Sequence, residues 1–238
     1  MEKKINTIHH SRTIMFDEVE RIVETGKADN DFIQAIDNNA IGKKSQTALQ
    51  NAKAKLLGIY SFDPQDPAFN LFLKLWEKSN SEERRILTLL MALKEDDLLE
   101  KSTEFILSIP IGEKVEKESL VKHLSKYVDY TENTLKSTSR NIISSWKQAG
   151  FISDGKNRLR TEPTITYPVV AYAIALGVLD GLEGEFLIKS PYIKALGISH
   201  ELLNELLNEA KIQDLIKYQN TGGVVSISLT DKLSANGQ

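Results

Sequence analysis

Between Thr131 and Arg160 the chain carries Lys136, Arg140, Lys147, Lys156, Arg158 and Arg160 against only Glu132 and Asp154. That is a local net charge of +4 in a chain whose formal charge is −3. The chemistry open to such a cluster is recognition of phosphate. Lys136, Arg140 and Lys147 recur at helical spacing, with Ser137, Asn141 and Ser144 between them. Hydroxyl and amide groups there can donate to further phosphates or read base edges. The plainer reading is a solvated basic helix face. The local reversal of sign, the interleaved donors and the second basic group at Lys156, Arg158 and Arg160 favour a nucleic-acid surface.

These side chains need a helix and a ribbon to hold them. Thr131 suits an N-cap donated to by the Thr134 N–H, Glu132 suits the positive end of the helix dipole, and Gly150 suits the stop. Leu135, Ile142, Ile143, Trp146 and Ala149 make one apolar face, which leaves the basic residues largely outside it. Trp146 reads as a core anchor whose indole N–H finds a partner. Phe151-Ile152 reads as a short strand, residues 153–157 as a turn, and Arg158-Leu159-Arg160 as a returning strand with both arginines on one side. Upstream, helices are expected over 97–107 and 117–128, joined by a turn at 110–115. Helix, helix, basic helix and ribbon follow the order of a winged helix-turn-helix.

The rest of the chain is predicted mostly α-helical. Amphipathic helices are expected over 12–24, ended by Gly26, and more weakly over 29–39. Others are expected over 45–57, closed by Gly58, over 68–78, and from an N-cap at Ser81 through a largely buried ILTLLMAL run. Residues 60–67 form a proline-punctuated connection. Three regions follow: a helical N-terminal region 1–95, a winged-helix module 96–162, and a helical C-terminal module 163–238. In the last, helices at 191–196 and 199–210 precede a hairpin around Asn220–Gly223. This repeats the central order without its arginines, which makes the module a better protein-contact or homodimer surface than a DNA surface.

Other candidates are weaker. Lys43, Lys44, Ser45 and Lys53 form a secondary DNA-binding candidate, weighed against a lysine-rich exposed helix face. Asp96, Asp97 and Glu100 could hold a hard cation, but acids at a helix start are explained by capping and the helix dipole. None of His9, His10, His123 and His200 has the spacing of a helical metal or metalloprotease motif. Gly177, Gly181 and Gly184 lack the strand and lysine of a nucleotide loop, and so indicate close packing or a helix end.

No nucleophile motif is present and the chain has no cysteine, so no catalytic residue, metal or cofactor is expected, and the chain is not expected to be an enzyme. The pI near 5.9 argues against indiscriminate coating of nucleic acid and against a basic membrane-surface protein. The apolar run Val169–Leu179 is too short to span a bilayer, and the N-terminus lacks the features of a secretory signal. A cytoplasmic protein is expected.

Thr134-Leu135-Lys136-Ser137, Arg140-Asn141, Ser144-Ser145-Trp146 and Gly150, with Tyr172-Ala173, Leu176-Gly177, Gly181, Gly184-Glu185, Ser190 and Gly222-Gly223-Val224-Val225, resemble the BrxA-like small subunits of bacterial BREX phage-defence systems. The resemblance extends over most of the chain, including the Ser45–Leu57 segment. It implies a helical, non-enzymatic protein that binds double-stranded DNA and acts beside other defence-system proteins. A protein-interaction adaptor that assembles such a complex without touching DNA is the alternative.

Overall fold

The computed structural model describes residues 5–222 and 224–234. Ahead of the first helix, residues 5–15 cross the body of the protein as an extended strap with one turn. Then come α1 (Phe16–Gly26), α2 (Phe32–Asp37), α3 (Gln46–Tyr60), α4 (Pro67–Trp76) and α5 (Ser81–Glu95). The central segment holds α6 (Asp97–Ser108), α7 (Lys117–Leu124) and α8 (Glu132–Gln148). The C-terminal segment holds α9 (Tyr167–Leu179), α10 (Glu185–Ile188), α11 (Pro191–Leu196), α12 (His200–Ile212) and the antiparallel hairpin β1 (Ile216–Thr221) and β2 (Val224–Leu229). The fold is thus mostly α, as composition and periodicity indicate. The loop residue Gly223 lies outside the described residues.

Helix ends follow local chemistry in most places. Asp31, Ser45, Asp66, Asp96, Thr131, Ser190 and Ser199 each accept a backbone N–H from the first turn of the helix they precede, which satisfies donors that a helix start leaves open. At α5 the cap is Asn80, one residue before the expected Ser81, and it forms a reciprocal capping box with Glu83. Gly58 does not end α3, which runs on to Tyr60 because Ile59 and Tyr60 are buried. Gly26 sits within the last turn of α1. A Cβ there would stand 2.7 Å from Phe32 Cδ1 and 2.9 Å from Phe32 Cα, so its role is to let α2 close onto α1.

The buried side chains of all three segments join in one hydrophobic cluster from Ile14 to Leu233. At its centre is α9, in which every residue from Pro168 to Gly177 is buried. It packs on α4, α5, α11 and α12, so a helix apolar on all sides is the helix with neighbours on all sides. Gly177 brings it close to Leu187, whose Cδ2 lies 2.9 Å from where a Cβ would stand. Among the described residues no helix is long and apolar enough to cross a membrane.

Candidate nucleic-acid interface

The central segment has the arrangement of a winged helix. α7 packs on both α6 and α8, and Trp146 of α8 donates its indole N–H to Ser102 of α6 at 2.7 Å, edge-on to Phe151. Leu135, Ile142, Ile143, Trp146 and Ala149 are all buried. Behind the helix lies a ribbon of three short segments, one more than the sequence suggests. Residues 158–161 pair with 151–153 through Ser153 N–H to Leu159 O and Thr161 N–H to Phe151 O, both at 2.9 Å. On their other edge they pair with 112–115, through Gly112 N–H to Arg160 O and Arg160 N–H to Glu113 O at 2.8 Å, and Val115 N–H to Arg158 O at 3.0 Å. The span 110–115, expected as a turn, therefore supplies the third segment.

The outward arc of α8 carries Arg140, which is exposed, and Lys136, Ser137, Ser144 and Lys147, which are half-buried. Arg140 is exposed and has no carboxylate partner among the described residues. Lys136 pairs with Glu132 one turn back at 2.5 Å. That contact raises the lysine's pKa and lowers that of the glutamate, through a hydrogen bond first and then their opposite charges. Lys147 reaches the turn of the ribbon, 3.3 Å from the Asp154 carboxylate and 3.2 Å from its carbonyl. Ser144 accepts a long contact from Gln148 at 3.4 Å. At the tip of the ribbon Lys156 and Arg158 are exposed, and neither has a carboxylate partner among the described residues.

Two expected contacts are displaced by the tertiary structure. Arg160 does not share a side with Arg158. It is 4% exposed, it donates to the carbonyls of Phe151 and Thr161, and its guanidinium lies over the Phe151 ring. Burial pulls its pKa down from the usual arginine value, against the opposing charge of Glu162. The cause is at Arg158, whose φ of +49° breaks the extended alternation that would have aligned the two side chains. Asn141 is half-buried, and its amide is engaged, donating to the His9 carbonyl at 2.8 Å.

The secondary candidate at Lys43, Lys44, Ser45 and Lys53 disperses as well. Lys43 pairs with Glu18 at 2.9 Å and Lys53 with Asp37 at 2.5 Å. Ser45 is occupied as the cap of α3. Only Lys44 stays exposed without a carboxylate partner among the described residues, so these four residues do not form one cationic surface.

The structure also brings together three residues far apart in sequence. His9 Nδ1 lies 2.7 Å from Asp96 Oδ2 and His9 Nε2 lies 2.7 Å from Ser145 Oγ. An acid, an imidazole and a serine in that order invite comparison with a nucleophile triad. The hydrogen bonds run the wrong way for one. Ser145 Oγ donates to the Asn141 carbonyl at 3.0 Å and accepts the Ile14 N–H at 3.0 Å, so its remaining lone pair, and not its proton, faces the ring. All three side chains are buried, which leaves no path for a substrate. The trio fastens the strap to α8 and to the α5–α6 junction. Nothing local in the sequence signals it, since His9 and Ser145 are 136 residues apart.

The C-terminal segment repeats the central order, with α11, a turn at Gly197 in the left-handed region, α12 and the hairpin. Its outward helix face is of opposite sign, because Glu201, Glu205 and Glu209 are exposed there beside Ile212. That face repels phosphate. Among the described residues no group of three or more histidine and carboxylate side chains could hold a metal ion. No protein-family model, curated protein or solved structure matches the chain.

Proposed function

We propose that the chain binds double-stranded DNA without catalysing a reaction on it, through α8 and the tip of the adjoining ribbon. The observation that carries this reading is the set Arg140, Lys156 and Arg158, exposed on one winged-helix arrangement with no carboxylate partner among the described residues. Lys136 and Lys147 flank them with single, exposed partners that a phosphate can displace. Ser137 and Ser144 supply hydroxyls between the cations. Arg160 and Asn141 support the surface from behind and take no part in contact. The resemblance to BrxA-like subunits adds the expectation that this binding serves a bacterial anti-phage system together with other proteins.

The test is fluorescence anisotropy of the purified protein with a labelled duplex, titrated across salt concentration. Binding should fall steeply with salt, and the slope of log K against log salt should lose about 0.9 for each phosphate contact removed. Arg140→Ala and Arg158→Ala should each lower the slope by about one contact and weaken binding to all sequences alike. Unchanged affinity in a folded Arg140→Ala/Arg158→Ala protein overturns the assignment.

A second reading, an adaptor that docks proteins, is favoured by the outer face of α12. There Ile212 is 79% exposed among Glu201, Glu205 and Glu209. Absence of duplex binding at low salt would put that reading first.

A further inference from the structure

We infer that the N-terminal strap is a built part of the same interface and that Arg12 is a phosphate contact on it. The inference rests on the DNA-binding reading above. It begins with the positions on α8 that the strap occupies. Asn141 donates to His9 O at 2.8 Å, Ser145 Oγ accepts from Ile14 N at 3.0 Å, and Gln148 Oε1 accepts from Phe16 N at 3.0 Å. At roughly 100° per residue these three positions share a sector of about 60°. The exposed sector, with Ser137, Ser144 and Arg140, adjoins it directly. Lys147, bonded to the ribbon turn, marks the opposite edge of the exposed sector. The basic arc therefore lies between two raised borders, the ribbon on one side and the strap on the other.

The strap is forced to stand out at that border. Its attachments at His9 and Ile14 meet α8 at Asn141 and Ser145, about 6 Å apart along the axis, while an extended chain of that length would cover about 16 Å. The excess is taken up in a turn, with the N–H groups of Ser11 and Arg12 both donating to Ile8 O, at 2.9 and 3.0 Å. His10, Ser11 and Arg12 are exposed as a result. Arg12 donates to the neighbouring Ser11 carbonyl at 3.3 Å and has no carboxylate partner among the described residues.

The turn is also held in place from below. Asp96 Oδ2 accepts from Thr7 Oγ1, Ile8 N and the His9 ring at 2.7–2.8 Å, and His9 is fully buried. A cation on a segment anchored this way loses little conformational freedom on binding. A basic arm beside a recognition helix can follow the phosphates or the minor groove flanking the site that helix occupies. The ligand class is the sugar-phosphate backbone of the duplex bound by α8.

The experiment is the salt titration of duplex binding with the full chain, comparing wild type, Arg12→Ala, Arg140→Ala and Lys78→Ala. Lys78 is an exposed lysine beyond α4, remote in sequence from the interface, and controls for diffuse charge. Arg12→Ala should lower the slope by about 0.9, as for one phosphate contact, with an unchanged thermal midpoint, while Lys78→Ala leaves the slope as in wild type. If Arg140→Ala lowers the slope and Arg12→Ala does not, the strap is excluded and the DNA-binding reading stands. Equal effects of Arg12→Ala and Lys78→Ala overturn the specific contact. If wild type fails to bind duplex at low salt, the reading and this inference fall together.

Discussion

His9 Nδ1 stands 2.7 Å from the carboxylate of Asp96, with the two side chains 0% and 1% exposed. Burial alone would raise the carboxyl pKa. The charge of His9, its hydrogen bond, and the N–H groups of Leu99 and Ile8 outweigh burial and hold it below the ordinary 3.8. A group depressed in the folded state stabilises fully above its unfolded pKa, and that contribution disappears as pH falls through the folded value. The carboxylate should therefore support the strap at neutral pH, and its contribution should be lost in acid, below about pH 4.

Asp96→Asn should lower unfolding free energy at pH 7 by about 3–5 kcal/mol, the usual loss when one partner of a buried pair is removed. Its stability should also depend less on pH on the acid side than that of wild type. Urea unfolding from pH 7 down to pH 3 measures both. Coincident wild-type and Asp96→Asn midpoints at pH 7 would mean that the pair contributes no net stability.

Arg160→Ala separates support from contact. It leaves the Thr161 carbonyl without its guanidinium donor, removes the second donor from the Phe151 carbonyl, which keeps the Thr161 N–H, and loses packing on the Phe151 ring, so a destabilisation of about 1–3 kcal/mol is expected. The salt slope of duplex binding should stay at the wild-type value, unlike that of Arg158→Ala. Thermal unfolding and anisotropy on the same samples decide, and a lowered slope with an unchanged midpoint would return Arg160 to the DNA surface.

Glu132→Gln removes the carboxylate that is hydrogen-bonded to Lys136, leaving only the weaker charge of Glu118 acting on it among the described residues, and keeps the helix N-cap at Thr131 intact. Duplex affinity should rise a few-fold as Lys136 becomes free for phosphate, with the thermal midpoint nearly unchanged because an exposed pair contributes little. Weaker binding by Glu132→Gln would show that Lys136 faces away from the DNA.

Features governed by near neighbours were legible in the sequence. The Thr131 cap, the apolar stripe from Leu135 to Ala149 and the partner for the Trp146 indole all appear in the structure, because capping and amphipathic periodicity are settled within a few residues. The cation-rich character of α8 was legible for the same reason. α9 could be read as buried from its uninterrupted apolar run, although not as the helix around which α4, α5, α10, α11 and α12 pack.

Side-chain direction was decided by contacts distant in sequence. Whether Arg160 points out with Arg158 depends on a left-handed residue in the ribbon and on the pairing with 112–115, neither of which has a local signature. Asn141 looks like a solvent-facing helix residue until the strap, some 130 residues earlier, claims it. Lys43 and Lys53 look free until Glu18 and Asp37 are folded beside them. The sequence by itself determined where most of the helices lie, though not all of their ends, and where the positive charge is concentrated. Only the tertiary structure decided which cations remain free and that His9, Asp96 and Ser145 meet, because buried polar groups take whichever partners packing brings within hydrogen-bond distance.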